Sequence, residues 1–291
     1  PMTISLDDPL FQHYLEERPT LTYAQPDDPW AMRQLILGIE NLFGRREVQR
    51  LYDTLKSQPF ELKRFYEDAI AVTDIDVRYD RAQLEKIPAT GPLVMVANHP
   101  FGVMDGTILC HLAAQARGDF RILINAVLCR DKDLAPHLLP VDFSPGKAAM
   151  KNNVAMGRRA REAMAEDIPV LIFPSGFVST AGRFGTGRAI DAPWTTFAAK
   201  LISDARANVV PIFFHGQNSR AFHIVSHLSE SLRMAFLIRE AKARFGTRFD
   251  VTIGDTLPYD SLEDIKGRKA LTDYLYDAVQ QLGEVSPAKV G

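Results

Sequence analysis

Hydrophobic and polar positions follow two different rhythms along this chain, and the change falls near residue 70. Before it, apolar residues recur at helical spacing. Leu35, Ile36, Ile39, Leu42 and Phe43 predict one helix, and Val48, Leu51, Tyr52 and Leu55 predict a second, with Arg and Glu on the opposite faces. A short helix is expected near Leu10–Glu16, followed by an irregular arm through Gln25-Pro26-Asp27-Asp28-Pro29-Trp30. After residue 70, short apolar runs alternate with longer amphipathic ones. Strands are expected at Ile75–Tyr79, Leu93–Ala97, Arg121–Val127, Val170–Phe173, Val209–Phe214 and Phe249–Ile253. Helices are expected at Gly106–Ala116, Asn153–Glu166, Thr195–Ala207, Leu228–Phe245 and Asp264–Leu282. Such alternation predicts an α/β fold with a mostly parallel central sheet flanked by helices. The organisation expected is an N-terminal helical arm over 1–70 and one domain over 71–291. The arm's helices admit two readings, packing on the core or lying at a membrane interface.

Composition narrows the classes. Of 291 residues 46% are hydrophobic, enough for a sizeable core, and the formal net charge of −2 gives no global sign of a nucleic-acid partner. Two cysteines exclude a disulfide scaffold and a four-cysteine zinc site and suit a reducing, cytoplasmic compartment. No run reaches the ~18 apolar residues of a membrane span, and the first 30 residues show no signal-peptide pattern, so any membrane role is expected to be peripheral.

In open α/β sheets the working residues lie beyond the carboxyl ends of strands. Three of the expected strands end in polar blocks: Asn98-His99-Pro100-Phe101-Gly102-Val103-Met104-Asp105-Gly106, Pro174-Ser175-Gly176-Phe177-Val178-Ser179, and His215-Gly216-Gln217-Asn218-Ser219. His99 follows a buried strand, and a turn can return Asp105, just before a helix opening at Gly106, to its imidazole. A carboxylate so placed fixes the tautomer and stabilises the imidazolium, which makes His99 a candidate general base. Ser175 is not in a Gly-x-Ser-x-Gly elbow, since Phe173 stands two residues before it; a tight turn offering backbone N–H groups and a hydroxyl is the better reading. Arg183 and Arg188 sit in Gly182-Arg183-Phe184-Gly185-Thr186-Gly187-Arg188, either an anion-contacting loop or a solvated one; no Gly-Lys-Ser/Thr follows, so it is no P-loop. His215 reads first as a structural histidine. His223 and His227 share a helical face without the other ligands a zinc site needs. Arg233, Arg239, Lys242, Arg244 and Arg248 interleave with Leu232, Met234, Phe236, Leu237 and Ile238, a basic amphipathic stretch that suits either core packing or an anionic membrane surface.

Taken together, Asn98-His99 with Asp105-Gly106, Phe173-Pro174-Ser175-Gly176, and Val210-Pro211-Ile212-Phe213-Phe214-His215-Gly216-Gln217-Asn218-Ser219 resemble the lysophospholipid acyltransferase (PlsC-like) superfamily. The resemblance covers roughly residues 40–282. It is strongest to the hemolysin-like branch that includes O-acyltransferases of ornithine and related bacterial aminolipids. Five residues separate His99 from Asp105, where the wider family has four. Ser175 stands where the family's third motif has Glu, and Val178 and Ser179 where it has Arg.

The resemblance implies transfer of a fatty acyl group from an acyl carrier protein or coenzyme A thioester to the hydroxyl of a lyso-lipid at a membrane surface. His99 is the implied base, Asp105 its orienter, and backbone N–H groups near Gly176 the implied oxyanion donors. No metal or further cofactor is implied. The departure at Ser175 favours a lyso-aminolipid acceptor with an ornithine, glycine, glutamine or sulfonated-amine headgroup; lysophosphatidic acid or another lysophospholipid is the alternative acceptor, and a lipid-binding protein without catalysis the alternative of another class. Asn98, Pro174, Ser175, Gly176, His215 and Asn218 are the implied substrate contacts, and Arg183, Arg188 or Lys147 the implied source of positive charge. The expected location is cytoplasmic, peripheral on the inner face of a bacterial membrane.

Overall fold

The computed structural model describes residues 19–22, 24, 29–125, 131–141 and 146–284. Seven strands form one sheet: β1 (Asp76–Arg78), β2 (Leu93–Ala97), β3 (Arg121–Asn125), β4 (Leu138–Val141), β5 (Val170–Ile172), β6 (Asn208–Phe214) and β7 (Arg248–Ile253). Their order is β1-β7-β6-β2-β5-β3-β4, parallel throughout except at the β6–β7 junction. The helices are α1 (Trp30–Leu42), α2 (Arg45–Lys56), α3 (Leu62–Val72), α4 (Arg81–Glu85), α5 (Val103–Arg117), α6 (Lys147–Ala165), α7 (Phe197–Ala205), α8 (Arg220–Ser226), α9 (Glu230–Ala243), α10 (Tyr259–Leu262) and α11 (Arg268–Leu282).

The period of two along a strand sorts its side chains between two cores. Leu93, Met95 and Ala97 of β2 join Val210, Ile212 and Phe214 of β6 on one face, under α3 and α5. Val94, Val96 and Val209 point the other way, under α6, α7 and α11. Burial on both faces explains why these strands read as continuous apolar runs. Outside this sandwich α1 packs on α9, where Ile36 meets Ala235.

Two expected helix starts are corrected. The helix expected at Gly106 opens at Val103, so Asp105 lies inside its first turn. The helix expected at Asn153 begins at Lys147. Strand β4 and helix α3 were not expected. Pro136 and Pro140 break the pattern around β4, which a sheet tolerates because β4 lies at an edge. Helix α3 is capped by Glu61, which accepts from the N–H groups of Lys63 and Arg64, and it carries Leu62 and Tyr66 into the main core across residue 70. The expected helix at Leu10–Glu16 and the end of the strand expected to reach Val127 lie outside the described residues.

Candidate active site

His99 and Phe173 follow β2 and β5, which are neighbours at the sheet's centre, so both residues emerge at one edge. The turn from His99 back to the sheet face depends on Gly102. Its φ of 84° is one that L side chains rarely adopt, and an added Cβ would stand 3.1 Å from Leu237 Cδ2. Helix α5 starts there, and Asp105 in its first turn is fully buried. Its carboxylate accepts from the N–H of Phe101 at 2.8 Å and of Gly106 at 3.0 Å, at the end of a helix where negative charge is favoured. Its Oδ1 also lies 3.0 Å from His99 Nδ1. The separation is that of an ion pair, but the approach is bent and falls short of a well-directed hydrogen bond. Catalytic pairs often take such geometry before substrate binds. The imidazole stacks on Phe173, with ring centroids 4.0 Å apart.

The main chain of His99 is held as well. The long loop after β5 returns on itself through an antiparallel bridge between Thr180 and Ile190, which sets Ser179 opposite Asp191. Asp191 Oδ1 accepts from the His99 N–H at 3.2 Å and from the Ser179 hydroxyl, and Oδ2 accepts from Trp194 Nε1 at 2.9 Å. The Ser179 N–H donates to the His99 carbonyl at 2.7 Å. Both backbone polar atoms of His99 are therefore fixed by one ladder. Asp191 and Trp194 were missed in the sequence because no short motif links them to His99.

His99 stands in the wall of an apolar cavity of about 840 Å³. Helices α1, α2, α3, α5 and α9 and the ends of β3 and β5 enclose it, with Val48, Leu51, Phe65, Met104 and Leu237 among its lining. Cys110 is part of the wall, and burial pushes its thiol up to about 12, so it stays protonated and unreactive. A second, smaller cleft of about 330 Å³ is polar and is lined by Asn98, Ser179, Arg188, Asp191, His215 and Gln217.

The expected site residues divide between these places. Asn98 uses its side chain to join β2 to β6, donating to the Phe214 carbonyl at 3.0 Å and accepting from the Phe214 N–H at 2.7 Å. Pro174 and Gly176 line the apolar cavity. The Gly176 N–H donates to the Phe173 carbonyl at 2.9 Å, so this one N–H of the turn is already engaged. Ser175 is buried and donates to the Phe177 carbonyl at 2.9 Å, so its hydroxyl stabilises the turn. Arg188 lies over the Phe213 ring and donates to Gln280, and Arg183 is exposed. Lys147 opens α6 beside the edge strand β4, three strands from β2. His215 meets Thr252 Oγ1 at 2.7 Å, and burial holds its imidazole below the ordinary histidine range. Asn218 is buried and lines neither cavity. His223 and His227 both bind Ala181: its N–H donates to His223 Nδ1 at 3.2 Å, and its carbonyl lies 2.9 Å from His227 Nε2.

A mostly parallel sheet flanked by helices thus brings a histidine and a carboxylate together beside an apolar cavity. The sequence model of the acyltransferase family matches residues 52–268, and the chain belongs to that family. Two relatives are similar over 216 residues and 72% of this chain. They are the lyso-glycine lipid O-acyltransferase of Phocaeicola vulgatus, 27% identical over 74% of its length, and that of Bacteroides thetaiotaomicron, 28% identical over 76%. Among solved structures, the 1-acyl-sn-glycerophosphate (LPA) acyltransferase PlsC of Thermotoga maritima superposes with a TM-score of 0.50 over 86% of each chain. It is 17% identical and shares the fold. Among the described residues no helix is long and apolar enough to cross a membrane.

Proposed function

We propose that this protein is an O-acyltransferase that moves a fatty acyl group from an acyl carrier protein or coenzyme A thioester to the hydroxyl of a lyso-aminolipid. His99 Nε2 takes the proton of the acceptor hydroxyl as its oxygen attacks the thioester carbonyl carbon. The tetrahedral intermediate then expels the thiolate, the carbon–sulfur bond breaks, and the imidazolium returns its proton to the sulfur. Buried Asp105 orients the ring and stabilises its charged form. The apolar cavity receives acyl chain, and the enzyme works peripherally on the inner face of the bacterial membrane. The observation that carries this reading is the 3.0 Å contact of His99 with Asp105 in the wall of that cavity. An aminolipid acceptor is favoured by the names of the two relatives, both lyso-glycine lipid O-acyltransferases.

The test is lipid analysis of cells that lack the protein, beside cells carrying His99→Ala. Loss of a diacylated aminolipid with accumulation of its mono-acyl precursor in both strains is the expected result, and it identifies the headgroup. Unchanged aminolipids with altered phospholipid acyl chains would assign a lysophospholipid acceptor instead. Full complementation by His99→Ala would remove the mechanism.

A further inference from the structure

The third polar block, His215-Gly216-Gln217-Asn218-Ser219, follows β6, and β6 leaves the sheet beside β2. Asn98 binds the Phe214 main chain through both atoms of its amide, so the two segments stay joined past the sheet's edge. A few residues further on, Phe101 meets Gly216. An added Cβ at Gly216 would stand 2.9 Å from Phe101 Cζ, closer than side chains come in practice, and the Gly216 φ of 105° is itself one that L residues rarely adopt. The buried Phe101 ring is held on two further sides. Phe249 of β7 meets it edge to face, with centroids 5.1 Å apart, and the guanidinium of Arg244, just past α9, lies 4.7 Å from its centroid. Arg244 Nη2 also donates to the Gln217 carbonyl, so one side chain ties the ring to the third block.

What the ring holds in place is a main-chain donor. The Phe101 N–H reaches Asp105 Oδ2 at 2.8 Å, while Asp105 Oδ1 accepts from the Gly106 N–H and lies 3.0 Å from His99 Nδ1. One carboxylate oxygen is thus anchored through Phe101 and the other faces the imidazole. The two oxygens belong to one rigid plane, so a shift of the Phe101 N–H turns Oδ1 away from His99. We infer that Gly216 and Arg244 are positioning residues: by clamping the Phe101 ring they fix the N–H that sets the plane of the Asp105 carboxylate, and hence its aim at His99. The third block then serves the reaction without touching substrate. The inference rests on the proposed roles of His99 and Asp105. A carboxylate already held in plane needs no reorganisation as the imidazolium forms, which is where such support acts on rate.

The test is a double-mutant cycle on the full-length protein, assayed by acyl transfer from an acyl carrier protein or coenzyme A thioester to an N-(3-hydroxyacyl)glycine in detergent micelles. R244M keeps a side chain over the ring, through a sulfur–aromatic contact, and is expected to fold, but it has no donor for the Gln217 carbonyl. It is expected to lower kcat about tenfold, since misplacement by 1 Å costs ~10²-fold and a loosened clamp moves the carboxylate by a fraction of that. The KM of either substrate should change by less than about threefold. In a D105N background the same substitution should cost less than about twofold more, because a residue that acts through Asp105 has nothing left to position. R244K returns a cation and a donor and should recover part of kcat. G216A sets a methyl group against Phe101 and should show the larger loss with the same dependence on Asp105; R244M decides where G216A does not fold. The ring ¹⁵N shifts of His99, read on substrate-free protein, should move in R244M and return toward wild type in R244K. A loss that recurs undiminished in the D105N background, an R244M with full kcat, or His99 ring shifts unchanged in folded R244M overturns the inference. Wild-type protein inactive on every aminolipid acceptor overturns the proposed function instead, and the ring shifts still test the clamp, so the two failures are distinct.

Discussion

Replacing Asp191 by Asn tests how far activity depends on the support beneath His99. The carboxylate accepts three hydrogen bonds, from the His99 N–H, the Ser179 hydroxyl and the Trp194 indole. An amide can keep its oxygen toward His99 and Ser179, but its nitrogen then faces Trp194 Nε1 at a distance of 2.9 Å, donor against donor. Leaving that indole N–H unpaired costs about 1–3 kcal/mol, and the two surviving bonds lose charge assistance worth roughly 0.5 kcal/mol each. The sum is about 2–4 kcal/mol. With an unfolding entropy of ~2.1 cal/mol/K per residue over 291 residues, Tm should fall by about 3–6 °C. A displacement of the His99 main chain by a fraction of an ångström should lower kcat by roughly tenfold, since misplacement by 1 Å costs ~10²-fold. KM should change little. Trp194→Phe in the same chain removes the opposing donor while keeping an aromatic ring against Tyr276, so the double variant should recover much of both losses. Thermal unfolding, steady-state kinetics and the ring ¹⁵N shifts of His99 measure the three effects. A single variant with unchanged Tm and kcat, or a double variant no better than the single, would refute the reasoning.

Two further outcomes are expected. Asp105→Asn should lower kcat by ~10²-fold or more with a smaller effect on acceptor KM, because the amide no longer stabilises the imidazolium; steady-state kinetics decides, and a change confined to KM removes the orienting role. Stability should also fall with acid in a defined window. Burial holds the imidazoles of His111, His215 and His223 below the ordinary histidine range. The unfolded chain therefore binds more protons than the folded one below about pH 6.5, so stability is full above that value and is lost as pH falls through the depressed folded values. Asp119 contributes in a separate and lower window. Burial pushes its carboxyl up, but the contacts with His137 and Arg121 outweigh that and hold it below the usual carboxylate range. Urea midpoints between pH 7.5 and 5 should decline, and His223→Gln should flatten the decline; a flat wild-type profile contradicts the assignment.

The chain's own pattern determined the central strands of the sheet. Continuous apolar runs such as Leu93–Ala97 and Val209–Phe214 can be buried only with both faces covered, and they lie at its centre. The pattern also marked His99 and Asp105, because a histidine at a strand end followed by glycine and a carboxylate within one turn is a local signal. It could not reveal what is assembled from distant segments. Asp191 reaches His99 across 92 positions, through a loop bridge with no periodicity of its own. Arg233 reads in sequence as one of several cations on an amphipathic helix, and only packing of α9 against the Val178 turn turns it into the cavity. Gly176 was legible as a turn residue, whereas the occupant of its N–H depended on how that turn closes on Phe173. Local spacing determines which groups can meet within a turn. Which distant groups share a cavity is decided by the order in which strands join the sheet, and that order is set by burial of whole faces, not by any single residue's neighbours in the chain.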